Sequence, residues 1–304
     1  MIRYVPHNNI KKEQYDSCIS SAPNSIIYAF SWYLDIVSPG WDIMEYDNYN
    51  AVMPLPHRKR FGLSYIFTPR YVQQLGVFGK DVNTGLIQEF LKQIPTKFRL
   101  IDLKFNEQNL HKEMSGWIKK TNYLLSINAE YEMVSKFYHR NCNRNIKKAR
   151  NAGLSIGESV SAKEFSAFIR ENLQDQIEDF VDSDVILLER ITEECIRKQK
   201  GEIVCVRDPE GDISAAGSFL FSGDRLIFSV CASSPKGHKE QAMYYLVDQQ
   251  IKKYSGNYSA FDFSGSEIKG IAYFNASFGA KAVSYPFLRI NRLPMLLKLL
   301  VGKS

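Results

Sequence analysis

The spacing of apolar residues changes several times along the chain, and each change marks an element. Over residues 10–22 it is helical, stopping before Pro23-Asn24. From Ser25 the texture becomes short aromatic and β-branched runs: SIIYAF, WDIMEYD, NAVMPLP, SYIFTP and LGVF. Turn formers such as Pro39-Gly40, Asp47-Asn48 and Arg60-Phe61-Gly62 bound them, which predicts a meandering antiparallel sheet. Thr84–Gln93 returns to helical spacing, with Asn83 or Thr84 as its cap, and RLIDLKF and NYLLSIN read as strands. Residues 129–152 are the most basic stretch, and Gly153 stands where a left-handed helix stop belongs. A second cycle follows. A strand (LSIGES) precedes a helix (SAKEFSAFIRENLQ) with Ser161 as cap and Glu164 closing a capping box. Next come a helix over 184–200, the strands GEIVCVRD, ISAAGSFLFS and RLIFSVCAS, and a helix over 239–254. Strand SAFDFSG, a short helix over 268–277 and strand AVSYPFLRI close the chain.

Both halves therefore run helix, strand meander, helix, strand, an echo at about 150 residues that suggests duplication. A single core seldom extends beyond roughly 250 residues, and this chain has 304. The expectation is an α/β protein with mixed sheets, in two domains at 1–140 and 141–304, joined by a basic helix at about 129–152. With 44% hydrophobic and 24% charged residues, the composition is that of a globular chain and not a disordered one. The formal charge of +6 is compatible with phosphate-bearing ligands. Five cysteines without a CxxC pair give neither a disulfide framework nor a zinc site, so reduced thiols, a cytoplasmic setting and no metal are expected. The first residues lack the apolar core of a signal peptide, and no run approaches the ~18 apolar residues of a spanning helix. The terminal LPMLLKLLVGKS is too short to span and reads as packing on the second domain.

The chemistry concentrates in the second half. ISAAGSFLFS carries no charge between Asp212 and Asp224, as strands buried on both faces do. The order strand, strand, strand, helix, strand, helix, strand is similar to that of the GNAT acyltransferases. That likeness implies two parallel strands that splay, so that exposed backbone pairs with an acyl donor's amide chain. It also implies a loop facing the donor's phosphates. Here the loop is SSPKGHKEQ, where Lys236, His238 and Lys239 supply charge and Gly237 permits close backbone approach. The family's usual Gln/Arg-x-x-Gly-x-Gly/Ala pattern is reduced to a single Gly.

FDFSGSEIKGIAYFNASFGAKAVSYP resembles the C-terminal signature of the FemABX-like transferases through Asp262, Phe263, Gly265, Ser266, Gly270, Phe274, Phe278 and Gly279. HRNCNRNIKKARNAGL resembles that group's interdomain helix through Arg140, Arg144, Asn145, Ile146, Lys148, Ala149 and Gly153. PRYVQQLGVF is similar to a Pro, Gln, Leu-Gly pattern in relatives, while Asn275 stands where many members carry Lys. The resemblance implies transfer of an aminoacyl group from charged tRNA, or an acyl group from a thioester such as acyl-coenzyme A, to an amine. The site would be the interdomain cleft, the acceptor could be a cell-envelope precursor, and no cofactor would be permanently bound.

Within that frame Asp262, at a strand end, can orient or deprotonate the amine, or cap the following turn. Glu267 and His238 are reserve bases. Tyr244 and Tyr245 are candidates for the acyl pocket or the core, and Cys231 reads as a buried thiol. Arg140, Arg144, Lys147 and Lys148 share a broad helix face that can hold a phosphate-rich ligand or stay solvated. Arg70, Tyr71, Gln73 and Gln74 follow a strand and can reach the cleft. Phe274 and Asn275 fall on the acceptor side, and the cluster His57–Arg60 reads as a solvated hairpin. Two other readings stand beside transfer: an inert FemABX-like module binding RNA or a phosphorylated ligand, and a coenzyme A-dependent small-molecule acetyltransferase.

Overall fold

The N-terminal residues form an edge strand. In the computed structural model, which describes residues 1–110, 117–173, 180–265 and 267–293, β1 (Ile2–Val5) pairs antiparallel with β2 (Asp42–Tyr46). β2 pairs with β3 (Ala51–Leu55), and β3 with β6 (Phe78–Gly79), completing a four-stranded sheet. Helices α1 (Lys12–Ser21) and α2 (Ser31–Val37) separate β1 from β2 in the chain. The run SIIYAF, expected as a strand, instead forms a 3-10 turn leading into α2. Its cause lies in another helix: the Asp16 carboxylate accepts the Ser31 backbone N–H at 2.8 Å and its hydroxyl at 2.6 Å, serving as a remote cap.

A second sheet has the order β4 (His57–Arg60), β5 (Leu63–Phe67), β7 (Phe98–Lys104), β14 (Lys281–Asn291). β5 runs parallel to β7, and α3 (Thr84–Gln93) lies on the crossover between them. α3 starts as its cap dictates, with Asn83 Oδ1 accepting the Leu86 N–H at 3.0 Å. These elements make up unit 1, which comprises Met1–Lys120 with Ser284–Ser304. The boundary expected at 140/141 thus falls at 120/121, and the last strand rejoins the first unit. Local periodicity cannot announce such a return, because the pairing of Asp102 with Arg289 closes across 187 residues.

Unit 2, Thr121–Val283, is built on the sheet order β8 (Ile118–Ser126), β13 (Ala260–Asp262), β12 (Arg225–Ser233), β11 (Ile213–Ser222), β10 (Gly201–Arg207), β9 (Ser155–Ile156). Its helices are α4 (Tyr131–Val134), α5 (Arg140–Asn151), α6 (Ala162–Leu173), α7 (Asp182–Arg197), α8 (Pro235–Glu240), α9 (Ala242–Tyr254) and α10 (Lys269–Ser277). The capping box of α6 is present, with Ser161 N–H bonded to Glu164 at 2.9 Å and Glu164 N–H to the Ser161 hydroxyl at 3.2 Å. Gly153 follows α5 at φ +75°, the left-handed stop.

The basic helix α5 lies inside unit 2. Its apolar stripe, Cys142, Ile146 and Ala149, joins the core made by Phe219, Leu246, Phe261 and Phe278. The helix expected over 239–254 is broken, because Gln241 adopts φ +64° between α8 and α9. All five cysteines are free thiols. Among the described residues no helix is long and apolar enough to cross a membrane. Ser266 and residues 294–304, most of the terminal apolar segment, lie outside the described residues.

Candidate functional site

Within unit 2 the two parallel strands begin together and then part. β12 pairs with β13 only through Arg225, Leu226 and Ile227, matched to Ala260, Phe261 and Asp262. From Phe228 to Ser233, β12 stays paired to β11 but has no strand partner on its other side among the described residues. A bulge lies where the parting starts. Ser218 aligns with Val230 and Phe219 with Phe228, so Ser229 is an extra residue on β12. The Ser218 hydroxyl accepts the Val230 N–H at 3.2 Å, covering the gap in the ladder. A bulge bends its strand, and the bend leaves a row of backbone donors and acceptors open to an extended partner.

Aromatic rings line the core beneath this edge. Phe263 follows β13 and lies 5.7 Å from Phe278, centroid to centroid. The Tyr244 ring stacks on Phe278 at 5.6 Å and meets Phe274 edge-on at 4.7 Å. Burial raises the pKa of its hydroxyl, an effect that nearby Ser277 and Asn145 partly offset. Asn275, on the same helix, is 2% exposed, and its Nδ2 has no partner among the described residues. Asp262 is fully buried: Oδ2 is 3.0 Å from the Arg225 guanidinium, and Oδ1 accepts the Ser264 N–H at 2.8 Å.

Unit 1 contains a parallel pair of the same kind, but its gap is filled. Past Phe67, β5 leaves β7, and Leu75 enters beside Phe105 in parallel. The Leu75 N–H bonds Lys104 O at 2.8 Å and the Asn106 N–H bonds Leu75 O at 2.7 Å, the pattern of an added strand. The segment expected to reach a substrate therefore packs into its own sheet. Gln74 is fully buried with Oε1 accepting the Glu107 N–H at 3.2 Å. Tyr71, at φ +64°, gives its carbonyl to the Tyr33 hydroxyl at 2.7 Å, and Arg70 and Tyr71 are both half-buried. Gln73 is buried as well.

No protein-family model and no curated protein sequence matches the chain. Solved structures do match it. FemX aligns with a TM-score of 0.67 over 97% of this chain and 99% of its own, at 12% identity. The C-terminal domain of a putative lysylphosphatidylglycerol synthetase from Agrobacterium fabrum gives 0.55 over 95% and 94%, at 13% identity. Saccharomyces cerevisiae N-myristoyltransferase with bound myristoyl-CoA gives 0.51 over 95% and 79%, also at 13%. The fold is that of the GNAT-like acyltransferases.

In this GNAT-like fold α8 follows the splayed strand, at the point expected to face donor phosphates, and one of its cations, Lys236, is already engaged. Lys236 Nζ is 2.7 Å from Asp208 and 2.6 Å from Glu210, and those hydrogen bonds hold its ammonium well above the usual lysine range. Gly237 serves packing: a Cβ there would lie 1.8 Å from Ser214 O, so α8 rests directly on the backbone of β11. His238 and Lys239 are exposed on this six-residue helix. α5 is different. It packs against α8, α9 and α10 of the GNAT-like core, yet Arg140, Arg144, Lys147 and Lys148 point outward with no acidic partner among the described residues. Arg150 pairs with the buried Asp248 at 2.9 Å, and Arg144 donates to the Asn141 side-chain oxygen. Asp248 also accepts the Tyr131 hydroxyl at 2.5 Å.

Three features of the site were not anticipated from sequence: the Ser218 bulge, the Arg225 partner of Asp262, and the Asp208–Glu210 clasp on Lys236. Arg225 had a signal, as the lone charge opening an otherwise apolar strand. Among the described residues no group of three or more His, Cys, Asp or Glu could hold a metal. Cys231, on the open stretch of β12, packs half-buried against the core, and burial pushes its thiol up to about 12. It should alkylate about a thousandfold more slowly than a free thiol at pH 8, since thiolate is the reactive form. Labelling at the rate of glutathione would contradict that environment.

Proposed function

We propose that the chain is an N-acyl or aminoacyl transferase whose activated donor pairs along the open edge of β12. One observation carries this reading: in unit 2 Phe228 to Ser233 have no strand partner on the β13 side among the described residues, whereas unit 1 fills the matching gap with Leu75. An edge of fixed N–H groups can hold an acyl donor's amide chain and polarise the reacting carbonyl. An acceptor amine then forms the C–N bond as the ester or thioester bond breaks. The nitrogen's proton leaves with the departing oxygen or sulfur, directly or through solvent. Asp262, ion-paired and buried, acts in this reading as a positioning residue that fixes the end of β13.

For the donor, the balance of charge favours aminoacyl-tRNA over acyl-coenzyme A. One cation of the loop expected to face the pyrophosphate, Lys236, is bound by two carboxylates, while α5 presents Arg140, Arg144, Lys147 and Lys148 to solvent. Phosphates bind where cations are uncommitted. The acceptor would be an amine on a small or cell-envelope molecule, with Phe274 and Asn275 the nearest candidates for contact. The pairing of Asp262 favours a second reading, a module that binds RNA or a phosphorylated ligand without catalysis.

Incubation with labelled aminoacyl-tRNA or with acetyl-coenzyme A, each with a pool of amines, tests all of this. Amide product from aminoacyl-tRNA is expected, and Arg140→Glu with Arg144→Glu should weaken tRNA binding at least tenfold at unchanged melting temperature. Consumption of acetyl-coenzyme A without tRNA affinity would overturn the donor assignment. Tight tRNA binding without product from any amine would select the second reading.

A further inference from the structure

Two helices of unit 1 carry a polar stripe that the core does not use. α1 buries Tyr15, Cys18 and Ile19, and α3 buries Ile87 and Phe90. At three- and four-residue spacing α1 also carries Gln14, Ser17 and Ser21, all exposed. α3 repeats the spacing with the half-buried Leu86 and the exposed Glu89 and Gln93. Both stripes line one groove of about 1200 Å³. Its less exposed lining is apolar or aromatic: Ile2, Cys18, Tyr46, Tyr49 and Leu86.

The turn between β2 and β3 completes the groove, and its backbone is unusual. Asp47, Asn48 and Tyr49 stand at φ +48°, +56° and +67°, consecutive left-handed residues of which none is glycine. Aspartate and asparagine tolerate that region, whereas a bulky tyrosine seldom enters it. Two hydrogen bonds hold the turn. The fully buried Glu45 carboxylate accepts the Tyr49 N–H at 3.0 Å, and the Tyr49 hydroxyl accepts the Lys11 N–H at 2.9 Å, just ahead of α1. The strained turn and α1 are thereby tied together, with Asn48 exposed along the groove. Strain of this kind persists only where its surroundings over-determine it, and it collects at binding sites.

The lining narrows the ligand's chemistry. Glu13, Asp81 and Glu89 are nearly balanced by Lys80 and the Met1 α-amino group, so neither a polyanion nor a polycation is favoured. The side chains of Gln14, Ser17, Asn48 and Gln93 form no hydrogen bond among the described residues. Each of them both donates and accepts. We propose that this groove binds an uncharged oligosaccharide, its hydroxyls bonding the Gln14, Asn48 and Gln93 amides and one sugar ring resting on Tyr46. Sugar hydroxyls donate and accept in the same way, and the C–H face of a pyranose suits the negative face of an aromatic ring. Compact ligands occupy pockets of about 300–1,000 Å³, so an open groove above that range takes a chain of linked rings. An apolar ligand would use none of these amides. The groove lies wholly in unit 1 and includes no residue of β12, α5 or α8. It is a docking site apart from acyl transfer, and the inference stands whether or not the chain moves acyl groups.

Calorimetric titration of the full chain with maltotriose, cellotriose, mannotriose and chitotriose tests it. At least one is expected to bind with a dissociation constant below about 1 mM. Raising salt from about 50 to about 500 mM should change that constant less than about twofold, because no ion pair forms. Gln14→Ala with Gln93→Ala, both on exposed helix faces, should weaken binding at least about tenfold at an unchanged melting temperature. Asn48→Gly separates contact from strain. Glycine takes the left-handed turn freely, so the melting temperature should hold or rise while affinity falls at least about threefold. Spermidine and tripolyphosphate should not displace the sugar. Binding of none of these trisaccharides, full binding by either folded variant, steep salt dependence, or displacement by a charged competitor would each overturn the proposal.

Discussion

Asp262→Ala is expected to lower unfolding stability by about 3 kcal/mol, more than most single substitutions. Asp262 is fully buried and its partner Arg225 is only 21% exposed, so alanine removes a carboxylate from a guanidinium that water reaches poorly. Removing one member of a buried pair costs about 3–5 kcal/mol, and the partial exposure of Arg225 places this case at the low end. The change also deletes the acceptor for the Ser264 N–H, at a turn where Ser264 holds φ +58° without being glycine. Asp262→Asn keeps that acceptor and the volume, so its cost should be about half. Denaturant melts of both variants, read beside transfer assays, distinguish two roles. A positioning residue predicts that the asparagine variant keeps turnover within about tenfold. A general base predicts that both variants lose turnover, the alanine form keeping its wild-type midpoint.

Gly237→Ala should be comparably harmful, and its sign is informative. In an exposed helix interior, alanine in place of glycine stabilises by up to about 1 kcal/mol. In α8 the added Cβ would lie 1.8 Å from Ser214 O and 2.6 Å from its carbonyl carbon, both backbone atoms with nowhere to retreat. α8 must therefore lift from β11. It is tied there by the Ser234 N–H to Ser214 O at 3.0 Å and by the Lys236 clasp. Overpacking of this kind costs about 3 kcal/mol, and amide exchange should quicken over residues 234–241. A midpoint equal to or above the wild type would show that α8 does not rest on that strand.

What could be read from the chain depended on how far each determinant lies in sequence. α3 begins and ends where its cap and periodicity place it, and the Ser161–Glu164 box closes three residues apart. The strands β10, β11 and β12 follow from apolar runs and two tight turns. α2 does not follow, because the carboxylate that caps it belongs to Asp16, fifteen residues upstream and on another helix. The same holds within the site. The splay is what the resemblance to GNAT acyltransferases implies, while the packing of the Phe263, Phe274 and Phe278 rings on one another is seen only in the fold. The state of each charge is not implied. Lys236 looks solvated until Asp208 folds against it from 28 residues away, and Asp262 looks available until Arg225 meets it from 37. Gln74 reads as a side chain after a strand that can reach an acceptor, but it is fully buried and bonded to the Glu107 N–H.

The return of β14 to the first unit has a consequence for how the protein is made. Residues 121–283, with their own core, leave the ribosome ahead of most of the strand that β7 needs as its neighbour. The second unit can begin to fold first, while the N-terminal one must wait with a bare strand margin until β14 has emerged. A nascent chain stalled short of residue 284 would carry that sticky margin, and holding chaperones would be expected to engage there.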